Sequence, residues 1–203
     1  MAKDRYRKMC YLAPIDAARA KKLKGRKAEL EKFLDNPLHE TGLQHYWHAI
    51  HYLLTGEAEG GEEPLCYVLE GGDIIGASGD GAVRYLSPDL VAAFSEALSD
   101  LPPDEFGDDT YDPDELQSAG IYPEHWIDEA EEEDLLGAIR ECYAYLQDAL
   151  AMARKDGKGV LFYFRDEAVF GDDDAYEDDD EEELDADRDG DDDYRGRFGD
   201  DER

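Results

Sequence analysis

The stretch LQHYWHAIHYLLTG, residues 43–56, combines a helical pattern of apolar residues with three of the five histidines in the chain. Side chains three and four positions apart share one face of a helix. The pattern therefore predicts a helix over residues 42–54, closed by Gly56 in the left-handed conformation. Its core-facing side is the stripe of Leu43, Trp47, Ile50 and Leu54, widened by Tyr46 and Leu53.

The histidines of this helix are the first candidates for a functional site. His48 and His51 lie on a stripe next to the core face and can point into one place, whereas His45 is turned about 120° away from His51. A zinc site needs three or four ligands, and H-x-x-H is not the H-E-x-x-H of metalloproteases. We therefore predict neither a metal nor a cofactor. Structural histidines at a pocket rim and a ligand-binding or catalytic pocket both stay open.

The charge of the chain is large and unevenly distributed. The net charge is −33 over 203 residues. Residues 1–32 hold 11 Lys/Arg and 4 Asp/Glu, residues 33–170 hold 6 and 31, and residues 171–203 hold 4 and 19. Affinity for nucleic acid comes from Lys and Arg displacing counterions, so direct nucleic-acid binding is disfavoured outside the basic start. A basic protein partner is favoured electrostatically.

The cysteines and the apolar segments indicate the compartment. Cys10, Cys66 and Cys142 are odd in number, far apart and set among apolar residues, without a C-x-x-C pair. This usage predicts reduced, buried thiols in a cytosolic protein. The start has no apolar run of the length that a signal peptide needs. No stretch approaches the roughly 18 apolar residues of a membrane span, so we expect a cytoplasmic protein.

The remaining patterns predict a helix-rich α+β domain with a small sheet. Apolar runs predict an N-terminal strand at residues 9–15 and a late strand at residues 159–164, the latter buried on both faces. Residues 17–34 read as one helix broken near Gly25 or as two short helices. The most regular helical period runs over residues 132–156.

Two further helices are marked by their first residues. Ser87 followed by a proline begins one, and Asp112 followed by a proline and, three residues on, by Glu115 begins the other. Between the histidine helix and Ser87 lies the glycine-rich stretch EGGDIIGASGDG, residues 70–81. It matches neither G-x-x-x-x-G-K-[ST] nor a G-x-G-x-x-G that follows a strand and leads into a helix, which are the phosphate-binding patterns, and its local charge is negative. The stretch therefore predicts a flexible surface loop. A strand at residues 83–86 is expected to follow it.

Three more residues join the histidines as candidates. Arg84 is a charge in an apolar strand, which requires a specific partner. We expect either a structural ion pair with a carboxylate or an anion-binding residue near His48 and His51. In IYPEHW, residues 121–126, the aromatic rings are either packing anchors or the wall of a pocket. The complete candidate pocket is His48, His51, Arg84, Tyr122 and Trp126.

The C-terminal residues 171–203 differ in character from the rest. Their acidic side chains repel one another, and the segment cannot bury enough apolar surface to offset the entropy cost of ordering it. This composition predicts a disordered acidic tail after a domain of residues 1–170. Within the tail, DADRDG at residues 185–190 fits the first half of a calcium loop. Gly196 stands where that loop needs a glutamate, so a chance match is favoured, and whether this segment binds calcium stays open.

Five motifs in fixed order resemble the YfbM-like bacterial family, a family of unknown function. They are WHAIHYLLTG at 47–56, PLCYVLEGG at 64–72, VRYLSPDLV at 83–91, AGIYPEHW at 119–126 and GVLFYF at 159–164. The similarity covers residues 9–164. It implies a small cytoplasmic α+β domain with no established activity or cofactor. The basic first 30 residues and the acidic tail depart from the family pattern.

The sequence leads to two hypotheses about function. The first is a bacterial cytoplasmic protein that acts as a non-enzymatic interaction or regulatory module, whose acidic surface and tail engage a basic partner. The alternative is a small-ligand-binding or hydrolytic domain with its pocket near His48, His51 and Arg84. Charge supports the first, and the histidine pair supports the second.

Overall fold

A computed structural model gives the fold of residues 6–37, 39–79, 81–127 and 134–168. These residues form a five-stranded antiparallel sheet and six α-helices, which confirms the predicted α+β class. All of them fall within one unit, Met1–Val169. The predicted acidic tail at 171–203, with its segment 185–190, lies outside the described residues.

The sheet is organised around its first and last strands. The strands are β1 (Tyr6–Ile15), β2 (Thr41–Gly42), β3 (Asp73–Ser78), β4 (Gly81–Leu86) and β5 (Gly159–Ala168), in the spatial order β2-β1-β5-β4-β3. β1 and β5 pair along their whole length, with Tyr6 opposite Ala168 and Ile15 opposite Gly159. Both predicted strands are present, and both are longer than their apolar runs because polar residues continue the pairing.

The helices follow their capping signals. They are α1 (Ala17–Leu23), α2 (Lys27–Leu34), α3 (Trp47–Thr55), α4 (Pro88–Ser99), α5 (Pro113–Ser118) and α6 (Leu135–Lys155), with a 3-10 helix at Leu65–Val68. The Ser87 hydroxyl accepts from the Leu90 N–H, and Asp112 accepts from the Asp114 and Glu115 N–H groups, which confirms both predicted N-caps. None of the helices in the described ranges is long and apolar enough to cross a membrane.

Helices cover both faces of the sheet. Because side chains alternate along a strand, Ala13, Leu161 and Tyr163 face α1 and α2, whereas Leu12 and Phe162 face the layer of α3 to α6. The second layer holds the larger core, and α6 supplies much of it. The buried stripe of α6 includes Leu135, Ile139, Tyr143, Leu146 and Leu150.

The predicted start of the histidine helix was wrong. Gly42 pairs with Tyr11 of β1, the Leu43 N–H donates to the Cys10 carbonyl at 2.8 Å, and Gln44 has a left-handed φ of 49°. These contacts extend the edge of the sheet, so α3 begins only at Trp47. Leu43 remains fully buried, but on a strand extension rather than on the helix.

The predicted flexible loop at residues 70–81 was also wrong in part. Asp73–Ser78 is β3 and forms a hairpin with β4, with Asp73 opposite Tyr85 and Ser78 opposite Gly81. Gly76 lets Leu30 of α2 approach, since a Cβ there would lie 2.4 Å from the Leu30 Cδ2. At this position the glycine serves close packing rather than flexibility.

Candidate functional site

His48 bridges α3 to two other segments. Its Nε2 contacts the Ala58 carbonyl at 2.8 Å, and its Nδ1 contacts the Tyr122 backbone N–H at 2.9 Å. A carbonyl only accepts and an N–H only donates, so the proton must lie on Nε2. The ring also stacks on Trp47 with 5.0 Å between ring centres. Both nitrogens are therefore occupied by backbone groups.

His51 lies beside His48, with 6.5 Å between the ring centres, and is completely buried. Neither of its ring nitrogens has a hydrogen-bond partner. Burial, with contributions from His48 and Arg84, lowers its pKa to about 4. The imidazole is therefore neutral at pH 7, because burial disfavours the imidazolium by more than the nearby Glu70 favours it.

Arg84 is buried on β4 and binds backbone carbonyls rather than the expected carboxylate. Its Nη1 donates to the carbonyls of Tyr67 at 3.2 Å, Gly71 at 3.3 Å and Glu70, and its Nη2 donates to that of Val68 at 2.5 Å. The guanidinium thus caps the 3-10 helix at its C-terminal end. It also lies 5.3 Å from the centre of the Phe162 ring.

Tyr122 and Trp126 hold the segment after α5 against the core. The Tyr122 hydroxyl accepts from the Lys8 N–H at 2.6 Å, and its ring stacks on Trp47 with centres 5.7 Å apart. Trp126 is fully buried, and its Nε1–H donates to the Ile121 carbonyl at 2.8 Å. Its ring lies 6.3 Å from that of Tyr46, so it contributes to the core of this layer.

The five candidates are therefore only partly brought together. His48 binds Tyr122 directly, and His51 lies beside His48 and within electrostatic reach of Arg84. Trp126 packs on Tyr46. Two surface cavities of the described residues are lined by other side chains, none of them a candidate.

Cysteine and metal chemistry find little support among the described residues. Cys10, Cys66 and Cys142 are unpaired and buried, as predicted. Burial raises the pKa of Cys10 and of Cys142 to about 12, so these thiols are protonated at neutral pH and are poor nucleophiles. No group of three His, Cys, Asp or Glu in the described ranges is arranged to hold a metal ion.

A polar cluster on the opposite face of the sheet was missed by the sequence reasoning. Arg165 contacts both carboxylate oxygens of Glu40, at 3.0 and 3.1 Å. Tyr163 also donates to Glu40, and Tyr11 donates to Glu167. The only sequence signal is the unusual Arg after GVLFYF, because Glu40 lies 125 residues away. The polar groups partner one another, so the cluster is structural.

The hydrogen bonds of His48 predict a loss of stability when the ring is removed. His48→Leu leaves the Ala58 carbonyl and the Tyr122 N–H without partners, and should lower the free energy of unfolding by about 2–4 kcal/mol. The exposed His39 is the control, and His39→Leu should cost less than about 0.5 kcal/mol. Urea unfolding at pH 7 measures both. Equal effects would contradict the bridging role.

His51 predicts a specific pH dependence. Its pKa is about 4 in the folded protein, against 6.5 for a histidine in the unfolded chain. The unfolded state therefore binds the proton more tightly. The stability contributed by neutral His51 is complete above pH 6.5 and is lost as the pH falls toward 4.

The variant His51→Leu isolates this effect. The leucine leaves no polar atom unpaired, so stability at pH 7 should change by less than about 1 kcal/mol. Relative to the wild type, the variant should gain stability as the pH falls, measured by urea unfolding at pH 7 and at about pH 4.5. Parallel pH profiles would show that His51 does not titrate in this way.

Comparison with known proteins places this fold in a family. No curated protein matches the chain. A solved structure, the protein of unknown function YfbM from Escherichia coli, is similar at 21% sequence identity and a TM-score of 0.63; the match covers 77% of this chain and 99% of that one. This similarity shows a shared fold. The model of a domain of unknown function, DUF1877, matches residues 8–163. The predicted resemblance is confirmed, and the chain belongs to the DUF1877 family.

Proposed function

We propose that this protein is a non-enzymatic, cytoplasmic interaction module of bacteria that uses its acidic surface and tail to engage a basic protein partner. One observation carries the proposal. Residues 100–115, here called the acidic segment, contain eight exposed carboxylates and no Lys or Arg. Among the described residues only one of the eight, Asp108, forms an ion pair. An unbalanced exposed charge of this kind favours a partner of opposite sign.

The basic residues of the surrounding domain do not offset this charge. Residues 33–170 contain six Lys/Arg, and one of them, Arg84, is buried on carbonyls. Four others already form ion pairs with carboxylates: Arg140, Arg154, Lys158 and Arg165. The excess of Asp and Glu over Lys and Arg therefore leaves a net negative charge on the surface that is available to a partner.

The alternative, a ligand-binding or hydrolytic pocket near His48, His51 and Arg84, has weaker support. The unpartnered nitrogens of His51 favour it. Against it, both nitrogens of His48 and the guanidinium of Arg84 are bonded to backbone groups. A substrate would have to displace these bonds, and each displaced buried group costs about 1–3 kcal/mol.

The proposal is tested by neutralising the tail in the full-length chain. A variant in which the 19 Asp/Glu of residues 171–203 become Asn/Gln should lose most basic proteins that co-purify with the wild type at about 50 mM salt. The wild type should release the same proteins by about 300 mM salt, because screening removes the attraction.

The matched control keeps the net charge of the tail and changes the order of its residues. A tail with the same residues in scrambled sequence should retain the partners, since the interaction depends on charge. Partners that are unaffected by both neutralisation and salt would contradict the proposal. Partners that are lost on scrambling would show a sequence-specific motif instead.

A further inference from the structure

A cleft opens between the C-terminal end of α3 and the acidic segment. Its volume is about 490 Å³. Tyr52 and Leu53 of α3 form one wall, and Tyr111 contributes to the other. The exposed carboxylates at its rim are Asp109, Asp112 and Glu115. The cleft thus combines aromatic and aliphatic walls with a negatively charged opening.

The segment that forms the second wall is fixed before any partner arrives. The Phe106 ring stacks on Tyr143 with centres 3.9 Å apart, and the Arg140 Nε–H donates to the Phe106 carbonyl at 2.8 Å. The Tyr111 N–H donates to the Gly107 carbonyl at 2.9 Å. Ordering costs that weaken binding are reduced when the site is already held in place.

The charge at the rim is uncompensated. Asp108 is paired with Arg140, but no Lys or Arg in the described parts of the chain pairs with Asp109, Asp112 or Glu115. Asp112 still accepts the N–H groups that cap α5. The other two carboxylates have their oxygens open to a ligand.

We propose that this cleft receives an arginine side chain of the basic partner, an inference that rests on the proposed function. A guanidinium is planar, so it stacks on tyrosine rings such as those of Tyr52 and Tyr111. Its N–H donors suit the carboxylates at the rim, where a bidentate contact is stronger than a contact with an ammonium. Leu53 packs against the aliphatic stem of the arginine. The cleft therefore selects arginine over lysine.

The test is an NMR titration of the full-length, ¹⁵N-labelled chain with the peptide acetyl-Gly-Arg-Gly-amide. The amide signals of Gly56, Asp109, Thr110 and Tyr111 should shift most. The lysine peptide should bind at least about threefold more weakly, because it loses the stacking and the bidentate contact. Tyr111→Leu should reduce this preference, because it removes one of the two stacking rings while retaining the apolar wall.

Two double variants that each remove two negative charges separate the cleft from general attraction. Asp109→Asn/Glu115→Gln should weaken binding of the arginine peptide at least about threefold. Asp100→Asn/Asp148→Asn, at exposed positions outside the cleft lining, should change it less than about 1.5-fold.

The outcomes distinguish the two proposals. Shifts spread over the acidic surface, with equal effects of both double variants, would overturn the cleft and leave the proposed function intact. Salt-insensitive partners of the wild type in the tail-neutralisation experiment would overturn the proposed function. Localised shifts with an arginine preference would support the cleft even in that case.

Discussion

The guanidinium of Arg84 is the contact on which the arrangement of the larger core depends. A charge buried without partners is strongly unfavourable, and here four carbonyls of residues 67–71 satisfy it. The same bonds hold the 3-10 helix over the sheet, where it packs against α3 and α4. His51 is enclosed in this region as a neutral ring. Arg84 and His48 thus direct their polar atoms at the backbone of their own chain, whereas the two ring nitrogens of His51 have no partner.

The surface differs from the interior, because most of its carboxylates have no Lys or Arg partner among the described residues. The α1–α2 layer exposes seven Lys/Arg, and the acidic segment lies in the layer on the other side of the sheet. Two helix layers separated by a sheet are about 20 Å apart, whereas charges are screened within about 8 Å at physiological salt. The two surfaces therefore act independently, and the basic residues of the α1–α2 layer do not cancel the charge of the acidic segment.

Local rules predicted the parts of the fold that local contacts determine. The caps at Ser87 and Asp112 follow from side-chain bonds within three residues, and the period of α6 follows from burial of one face. The start of α3 could not be predicted, because Gly42 pairs in the sheet with Tyr11 of β1, which lies 31 residues earlier in the chain. Likewise β3 depends on Leu30 packing over Gly76. Only tertiary contacts decide such cases.

The candidate site likewise has one part that the sequence predicted and one part that depends on distant contacts. The helical period correctly placed His48 and His51 on one side of α3, with rings 6.5 Å apart. What each ring meets comes from distant segments, such as Tyr122, 74 residues away. For Arg84 the sequence indicated that a partner must exist, but not that it would be a set of carbonyls, since every residue carries one.

The central claim, that the buried polar groups serve the fold, is tested most directly by the free energy of unfolding of Arg84→Lys. Lysine keeps the charge but loses the planar set of donors. Urea unfolding at pH 7 should show a loss of about 2–4 kcal/mol, against less than about 0.5 kcal/mol for the exposed control Arg154→Lys. An Arg84→Lys protein as stable as the wild type would contradict the account.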